Sequence, residues 1–217
     1  MRPLMNIKWP KKPIEWVENR TLYISIPFTW NLPWALDIVK QKSLLWDSAI
    51  VGGPATRLVT NYFDSVPWVT VGTEYPGILQ RINQGATKTT VGCINSCTFC
   101  AVPGVEGEFS ELDDWPDLPI ITDNNLLAAS QLHLDRVFDR LEEWGWADFN
   151  QGLDARILNE YHAERLARIK MPIIRMALDC PSQCESWQRA YELLRKYNIA
   201  RYKIRSLVLI GFNSGPD

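Results

Sequence analysis

The second half of the sequence alternates short apolar segments with amphipathic helical segments, and this alternation limits the fold more than any other feature. Apolar residues recur at helical spacing from Leu134 to Leu141, and Ser182 with Glu185 predicts a capping box that opens another helix. Each connection between strands has room for one crossover helix, which predicts parallel pairing. The predicted strands cover 89–91, 119–122, 147–151, 172–178 and 206–210. The fold class is therefore predicted to be α/β.

The first part of the chain predicts a smaller α/β region. Strands are expected at 21–27, 48–51 and 68–71, with a helix at 31–41 and an irregular lead-in over 1–20. We place the boundary between the two regions at residues 88 and 89. Gly52 and Gly53 follow a predicted strand, where glycines serve either a tight turn or the approach of a phosphate or cofactor.

Composition excludes several classes of protein. The chain has 217 residues, a net charge of −2, 46% hydrophobic and 22% charged residues, which is typical of a soluble globular protein. Nucleic acid is not indicated by this charge balance, and no apolar run reaches membrane-spanning length. The five cysteines are clustered as three plus two, which favours a reducing, cytoplasmic compartment over a secreted disulfide framework.

Three cysteines lie within eight residues, at Cys93, Cys97 and Cys100. A cubane iron–sulfur cluster has four irons, so three thiolates leave one iron open to a small molecule. Three other interpretations stay open. The thiols would pack as buried apolar residues on a helix face, join His133 or His162 in a structural zinc site, or hold the cluster of a ferredoxin-like electron carrier.

The cysteine spacing, with the aromatic Phe99 before the last cysteine, resembles the signature of the radical S-adenosylmethionine (SAM) superfamily. The resemblance implies a [4Fe-4S] cluster on the three cysteines, whose open iron chelates SAM. It also implies reductive cleavage to a 5′-deoxyadenosyl radical that takes hydrogen from an unknown substrate, with flavodoxin or ferredoxin as electron donor. An inactive relic that binds a cluster and leaves SAM intact is a further alternative.

The same resemblance implies a partial parallel (β/α) barrel over 89–217. Members of the superfamily have six β/α units, and this sequence predicts five, so the barrel is expected to be truncated after the fifth strand or completed by another chain. Residues 1–88 resemble a shortened flavodoxin-like, cobalamin-binding domain. The DxHxxG motif of that domain is missing, because 1–92 contains no histidine. Cobalamin ligated by histidine is therefore not expected.

Polar residues at the predicted strand ends are the candidate SAM contacts, since βα loops converge at that end of a parallel barrel. The resemblance implies that Asp123, Asn124 and Asn125 hold the SAM amino group, although the usual Gly-Gly-Glu-like segment is absent. Turn formation is the alternative for these residues. Gln151 ends the third strand, and Arg156 suits the methionine carboxylate or an ordinary ion pair.

The later strand ends extend this set. Asp179 is expected near the ribose hydroxyls, and Ile210 lies in the segment 207–212, which resembles the adenine-contacting strand but also fits a buried parallel strand. Arg175 is expected in a polar barrel interior. Cys180 and Cys184 are expected to be packed. His133, His162 and Glu111 are expected at polar surfaces, and Glu106 at the lid of the cysteine loop.

Overall fold

The computed structural model describes residues 8–10, 12–72 and 75–210. The chain forms two compact units, Met1–Gln84 and Gly85–Asp217, which are described separately below. The sequence places the boundary at residues 88 and 89. The structure assigns 85–88 to the second unit because this segment supplies the first strand of its parallel sheet.

The first unit is built on a four-stranded sheet in the order β1-β2-β3-β4. Strands β2, β3 and β4 are parallel, whereas β1 is antiparallel to β2. Buried apolar side chains from the strands and from α1 form its core, among them Leu22, Ile24, Val39 and Val51. The elements are β1 (Ile14–Glu18), β2 (Thr21–Ser25), α1 (Leu32–Gln41), β3 (Ser48–Gly52), α2 (Pro54–Leu58), β4 (Val69–Val71) and α3 (Ile78–Ile82).

The predicted irregular lead-in is wrong over 14–18, which forms strand β1. Asn19 and Arg20 have φ values of 47° and 64°, so they make the left-handed turn that joins two antiparallel strands in a hairpin. Neither residue is glycine, so the sequence gives little indication of this turn. Residues 1–7 and 11 of the lead-in lie outside the described part of the chain.

The second unit contains five parallel strands in the order in which they occur along the chain. Strands β5, β8 and β9 form one sheet, and β10 pairs with β11. An isolated parallel bridge between Leu153, which follows β9, and Met176 of β10 connects the three-stranded sheet to the pair of β10 and β11. Over the described residues the strands do not close into a barrel. The strands of the unit are β5 (Ala86–Thr87), β6 (Thr90–Val91), β7 (Ser110–Glu111), β8 (Ile120–Ile121), β9 (Asp148–Phe149), β10 (Ile174–Ala177) and β11 (Ile204–Leu207). The predicted α/β class with parallel pairing is confirmed.

The first and last predicted strands of this unit are shifted. The parallel sheet contains β5, whereas β6 pairs antiparallel with β7. The predicted strand at 89–91 is therefore a strand over Thr90–Val91 but not a member of the parallel sheet. The Thr89 N–H donates to the Asp123 carboxylate at 2.7 Å instead of to a neighbouring strand. The last strand is β11, which begins two residues before the predicted 206–210. Gly211 and Phe212 lie outside the described residues, as do 214–217.

Four helices complete the second unit: α4 (Val102–Glu106), α5 (Gln131–Trp144), α6 (Glu160–Ala167) and α7 (Cys184–Lys196). Helix α5 buries the predicted stripe from Leu134 to Leu141. The predicted Ser182 cap is wrong, because 181–183 is a 3₁₀ turn that runs straight into α7 from Gln183. No helix in the described segments is long and apolar enough to cross a membrane.

Both histidines are buried, so the prediction that they lie on polar surfaces is wrong. His133 keeps 2% of its surface exposed and His162 4%. His162 belongs to a capping box at the start of α6, where its Nδ1 accepts from the Asn159 N–H and Asn159 Oδ1 accepts from the His162 N–H. Burial lowers the pKa of His133 and lowers that of His162 to about 4. Both rings are therefore neutral in the folded chain at neutral pH.

The buried His162 makes stability depend on pH. Its pKa is lower in the folded than in the unfolded chain, so its contribution is complete above about pH 6.5 and is lost as the pH falls toward 4. We expect the free energy of unfolding to fall by about 2 kcal/mol more in the wild type than in His162→Gln between pH 7 and pH 5. Glutamine keeps the capping acceptor without titrating. Urea unfolding at both pH values measures this, and equal losses in the two proteins would contradict it.

The backbone conformation at position 92, between β6 and the cysteines, requires glycine. Its φ is +71°, and a Cβ there would lie 2.3 Å from the backbone oxygen of Glu108. We expect Gly92→Ala to destabilise the chain by about 2 to 3 kcal/mol in urea unfolding. Gly104→Ala is the matched control, because a Cβ at Gly104 has open space within helix α4. Equal stability of the two variants would show that the turn tolerates a side chain.

Candidate functional site

The three clustered cysteines lie on an irregular loop between β6 and α4. The loop is not helical, and Cys93, Cys97 and Cys100 are all partly exposed, so the structure does not support packed thiols on a helix face. The Cys100 N–H donates to the Cys97 carbonyl at 2.9 Å, which forms a tight turn around Phe99. Phe99 is 39% exposed. The loop therefore presents its sulfur atoms close to solvent.

Hydrogen-bond donors surround the sulfur atoms of this loop. Cys93 Sγ accepts from the Asn95 N–H at 3.4 Å and from the side-chain amides of Asn95 and Asn125 at 3.6 Å each. Cys100 Sγ accepts from the Val102 N–H at 3.5 Å. The Asp154 carboxylate, and less strongly the Cys97 sulfur, raise the pKa of Arg156. N–H donors stabilise the negative charge of a metal-bound thiolate, so the Cys93 and Cys100 sulfurs have suitable neighbours.

The Asp154 carboxylate joins the cysteine loop to the loops that follow β8 and β9. Its Oδ2 accepts from the amides of Asn95 and Asn125 at 3.0 Å each. Arg156 donates to it through the backbone N–H, Nε and Nη2, at 2.7 to 3.0 Å. Only 8% of the Asp154 side chain is exposed. Burial opposes ionisation, but the hydrogen bonds from Arg156 and Asn95 hold the pKa of Asp154 below its usual value.

The sequence places Asp154 after the third strand, together with Gln151 and Arg156, but no role was predicted for Asp154 or Asn95. In the structure, the Arg156 guanidinium donates through Nε and Nη2 to the Asp154 carboxylate, two residues away. These two donors are therefore already used by a protein carboxylate. The place of Asp154 just after the third strand, where the βα loops of a parallel sheet converge, is the sequence signal for a role at this site. For Asn95, the sequence indicated only that asparagine is a poor helix former.

Asp123 has a different orientation from that of its neighbours Asn124 and Asn125. It is 2% exposed and accepts from the Thr89 N–H, the Thr89 hydroxyl and the Thr90 hydroxyl, at 2.5 to 3.0 Å. Burial raises the pKa of Asp123, and the hydrogen bonds from Thr89 oppose that rise. Asp123 therefore fixes the segment that leads into the cysteine loop.

Asn124 and Asn125 face the cysteine loop. Asn124 donates to Glu106 at 2.8 Å, and Glu106 also accepts from the Gly92 N–H at 3.0 Å and from Lys88. Glu106 thus ties the start of the loop to α4 at its end. Asn125 is 2% exposed, and its Oδ1 is buried without a hydrogen-bond partner in the described part of the chain. An acceptor in that state costs about 1 to 3 kcal/mol unless a ligand donates to it.

The remaining predicted contacts lie at other strand ends. Gln151 is exposed in the turn after β9. Asp179 accepts from the Leu209 N–H at 3.2 Å and joins the ends of β10 and β11. Ile210 is 87% exposed, which does not fit the alternative of a buried strand residue. In the strand order, β10 and β11 lie farthest from β5, so the polar cluster around Cys93 is formed without Asp179 or Ile210.

Several secondary expectations change. Cys180 and Cys184 are exposed rather than packed. Arg175 is half-buried and pairs with Asp148 at 2.6 Å, which satisfies its charge within the sheet. Glu111 is not simply solvated, because it accepts from the Ser130 N–H and lies 3.6 Å from His133.

No group of three or more His, Cys, Asp or Glu side chains within 8–10, 12–72 and 75–210 is arranged to hold a single metal ion. A zinc site needs all its ligands on one ion, whereas the thiolates on a cubane bind different irons. The histidines considered as fourth zinc ligands are buried elsewhere. His133 lies 3.1 Å from the Thr89 hydroxyl, and His162 caps α6. The described residues therefore contain no group arranged for a single zinc ion.

Comparison with known proteins assigns no family to this chain. A scan against protein-family models gave no match, and a search of curated proteins gave none either. The chemistry of the loop is therefore inferred from its own residues and contacts.

Proposed function

We propose that this chain is a radical SAM enzyme. One observation carries the proposal: in a CxxxCxFC loop, the Cys93 and Cys100 sulfurs accept N–H hydrogen bonds, at the end of a parallel sheet where such sites form. Cys93, Cys97 and Cys100 would hold a [4Fe-4S] cluster. When bound, the cluster and SAM supply a one-electron cleavage that generates a 5′-deoxyadenosyl radical for hydrogen abstraction.

Asn125 supports the SAM part of the proposal. Its unpartnered Oδ1 is buried in the side chain whose nitrogen contacts Cys93, so a ligand that reached this acceptor would supply its missing donor. An ammonium group is a strong donor, and it would satisfy that acceptor. Asn125 is therefore assigned to hold the SAM amino group. Asp123 is assigned instead to the support of the loop, because its carboxylate is fully used by Thr89 and Thr90.

The surroundings of the loop agree with a small-molecule guest. Ile94 is 55% exposed and Phe99 39% exposed, so a ligand reaches the sulfurs without opening the core. Under this proposal, the five strands that pair in parallel belong to a partial barrel of the superfamily type. The substrate of the radical is set by residues outside this shared arrangement, since a fold does not determine a substrate. An external donor such as flavodoxin or ferredoxin would reduce the cluster.

Anaerobic reconstitution tests the proposal. We expect a brown protein with about four irons and four sulfides per chain, and 5′-deoxyadenosine after addition of SAM and dithionite. Cys93→Ala, Cys97→Ala and Cys100→Ala should each lose most of the cluster and all of the product. Cys180→Ala/Cys184→Ala is the matched control, because it removes two exposed thiols without touching the loop, and it should keep both.

The alternatives give different results in the same experiment. A colourless protein with stoichiometric zinc would favour a structural zinc module and contradict the proposed function. A stable cluster that yields no 5′-deoxyadenosine, and whose electron paramagnetic resonance spectrum is unchanged by SAM, would favour an electron carrier or an inactive relic.

A further inference from the structure

Cys93 has a richer set of donors than the other two cysteines of the loop. Two of these donors are side-chain amides, from Asn95 and Asn125, and each amide nitrogen lies 3.6 Å from Cys93 Sγ and 3.0 Å from Asp154 Oδ2. An asparagine amide carries two N–H groups. Each amide can therefore give one N–H to the sulfur and the other to the carboxylate.

Asp154 determines which end of each amide faces Cys93. An ionised carboxylate only accepts hydrogen bonds, so it accepts the NH₂ end of an asparagine and repels the carbonyl end. Rotation of either amide by half a turn would put two oxygens against each other and direct a lone pair at the sulfur. The orientation of Asn125 is set on its nitrogen side alone, because its Oδ1 has no partner among the described residues.

Arg156 in turn holds Asp154. Its guanidinium donates to both carboxylate oxygens, at 2.7 Å to Oδ1 and 2.8 Å to Oδ2, while its backbone N–H donates to Oδ1 at 3.0 Å. A carboxylate gripped on both oxygens has little freedom to rotate. The order of contacts is thus Arg156 to Asp154, Asp154 to the two amides, and the amides to Cys93.

We propose that Asp154 is a positioning residue, which orients the Asn95 and Asn125 amides toward the Cys93 sulfur and so raises the reduction potential of the cluster. This inference rests on the proposed function, because it needs a cluster on Cys93. Reduction adds negative charge to a cluster and its thiolates, and N–H donors on a sulfur stabilise that charge. Loss of a donor therefore makes reduction harder and moves the potential to more negative values.

A double-mutant cycle separates positioning by Asp154 from its charge. The potential of the reconstituted cluster is measured without SAM, by a dithionite titration followed by electron paramagnetic resonance, in wild type, Asn125→Ala, Asp154→Ala and the double variant. Asn125→Ala changes no charge. We expect it to lower the equilibrium constant for reduction about tenfold in the wild-type background, or about 59 mV for one electron. In the Asp154→Ala background the same substitution should have less than a third of that effect.

Asp148→Ala is the matched control. It removes a second carboxylate of the same unit, paired with Arg175 rather than with an amide beside a cysteine. The Asn125→Ala shift should be unchanged in that background, since only Asp154 holds the amide. If Asp154→Ala does not fold, Asp154→Asn takes its place in the cycle and should weaken the coupling in the same direction.

The outcomes decide between the two proposals. A wild-type protein without a cubane cluster would overturn the proposed function and the positioning role together. With a cluster present, an Asn125→Ala shift of the same size in the wild-type and Asp154 backgrounds would overturn the positioning role alone. An absence of any shift in Asn125→Ala would do the same, because the amide would then not act on the cluster.

Discussion

The second unit depends on the pairing of buried carboxylates with N–H and O–H donors from neighbouring loops. Asp123 binds the segment between β5 and β6, and Asp154 binds the loops that follow β6, β8 and β9. An unpaired buried carboxylate costs several kcal/mol, whereas a hydrogen bond to an ionised group contributes about 1.5 to 3 kcal/mol. The loops at this edge of the sheet are therefore ordered by polar contacts that regular secondary structure does not supply.

The strand and helix pattern was largely predictable from the sequence, since it follows from local spacing. The parallel pairing, four of the five predicted strands and the buried stripe of α5 are confirmed, because apolar residues at the period of a strand or a helix are buried together on one face. The errors fall where a side chain competes with the backbone. The run from Ala86 to Val91 contains three threonines and a valine, which favour strands, and the contact between Thr89 and Asp123, 34 residues apart, diverts the Thr89 N–H from strand pairing.

The three cysteines of the candidate site were predictable from the sequence, whereas the hydrogen bonds around them were not. The three cysteines identify themselves by spacing, but Asp154 and Asn95 become important only when three separate loops meet. The histidines illustrate the same limit. Both are flanked by charged residues in the sequence, such as Asp135 and Glu164, although each ring points inward. One turns toward the Thr89 hydroxyl and the other caps its own helix.

The unsatisfied Asn125 Oδ1 has a cost in stability, and the proposed function would give that atom a partner. The two carboxylates of this edge are fully hydrogen-bonded, so the fold is able to pair buried polar atoms here, yet one acceptor beside Cys93 is left without a donor. Its cost is a noticeable fraction of the stability of a domain of this size. A leucine would fill the same space without that cost but would offer neither an N–H to the sulfur nor an oxygen to a ligand. Under the proposed function, a cluster on Cys93 would use the amide N–H groups, and its ligand would use the Asn125 oxygen.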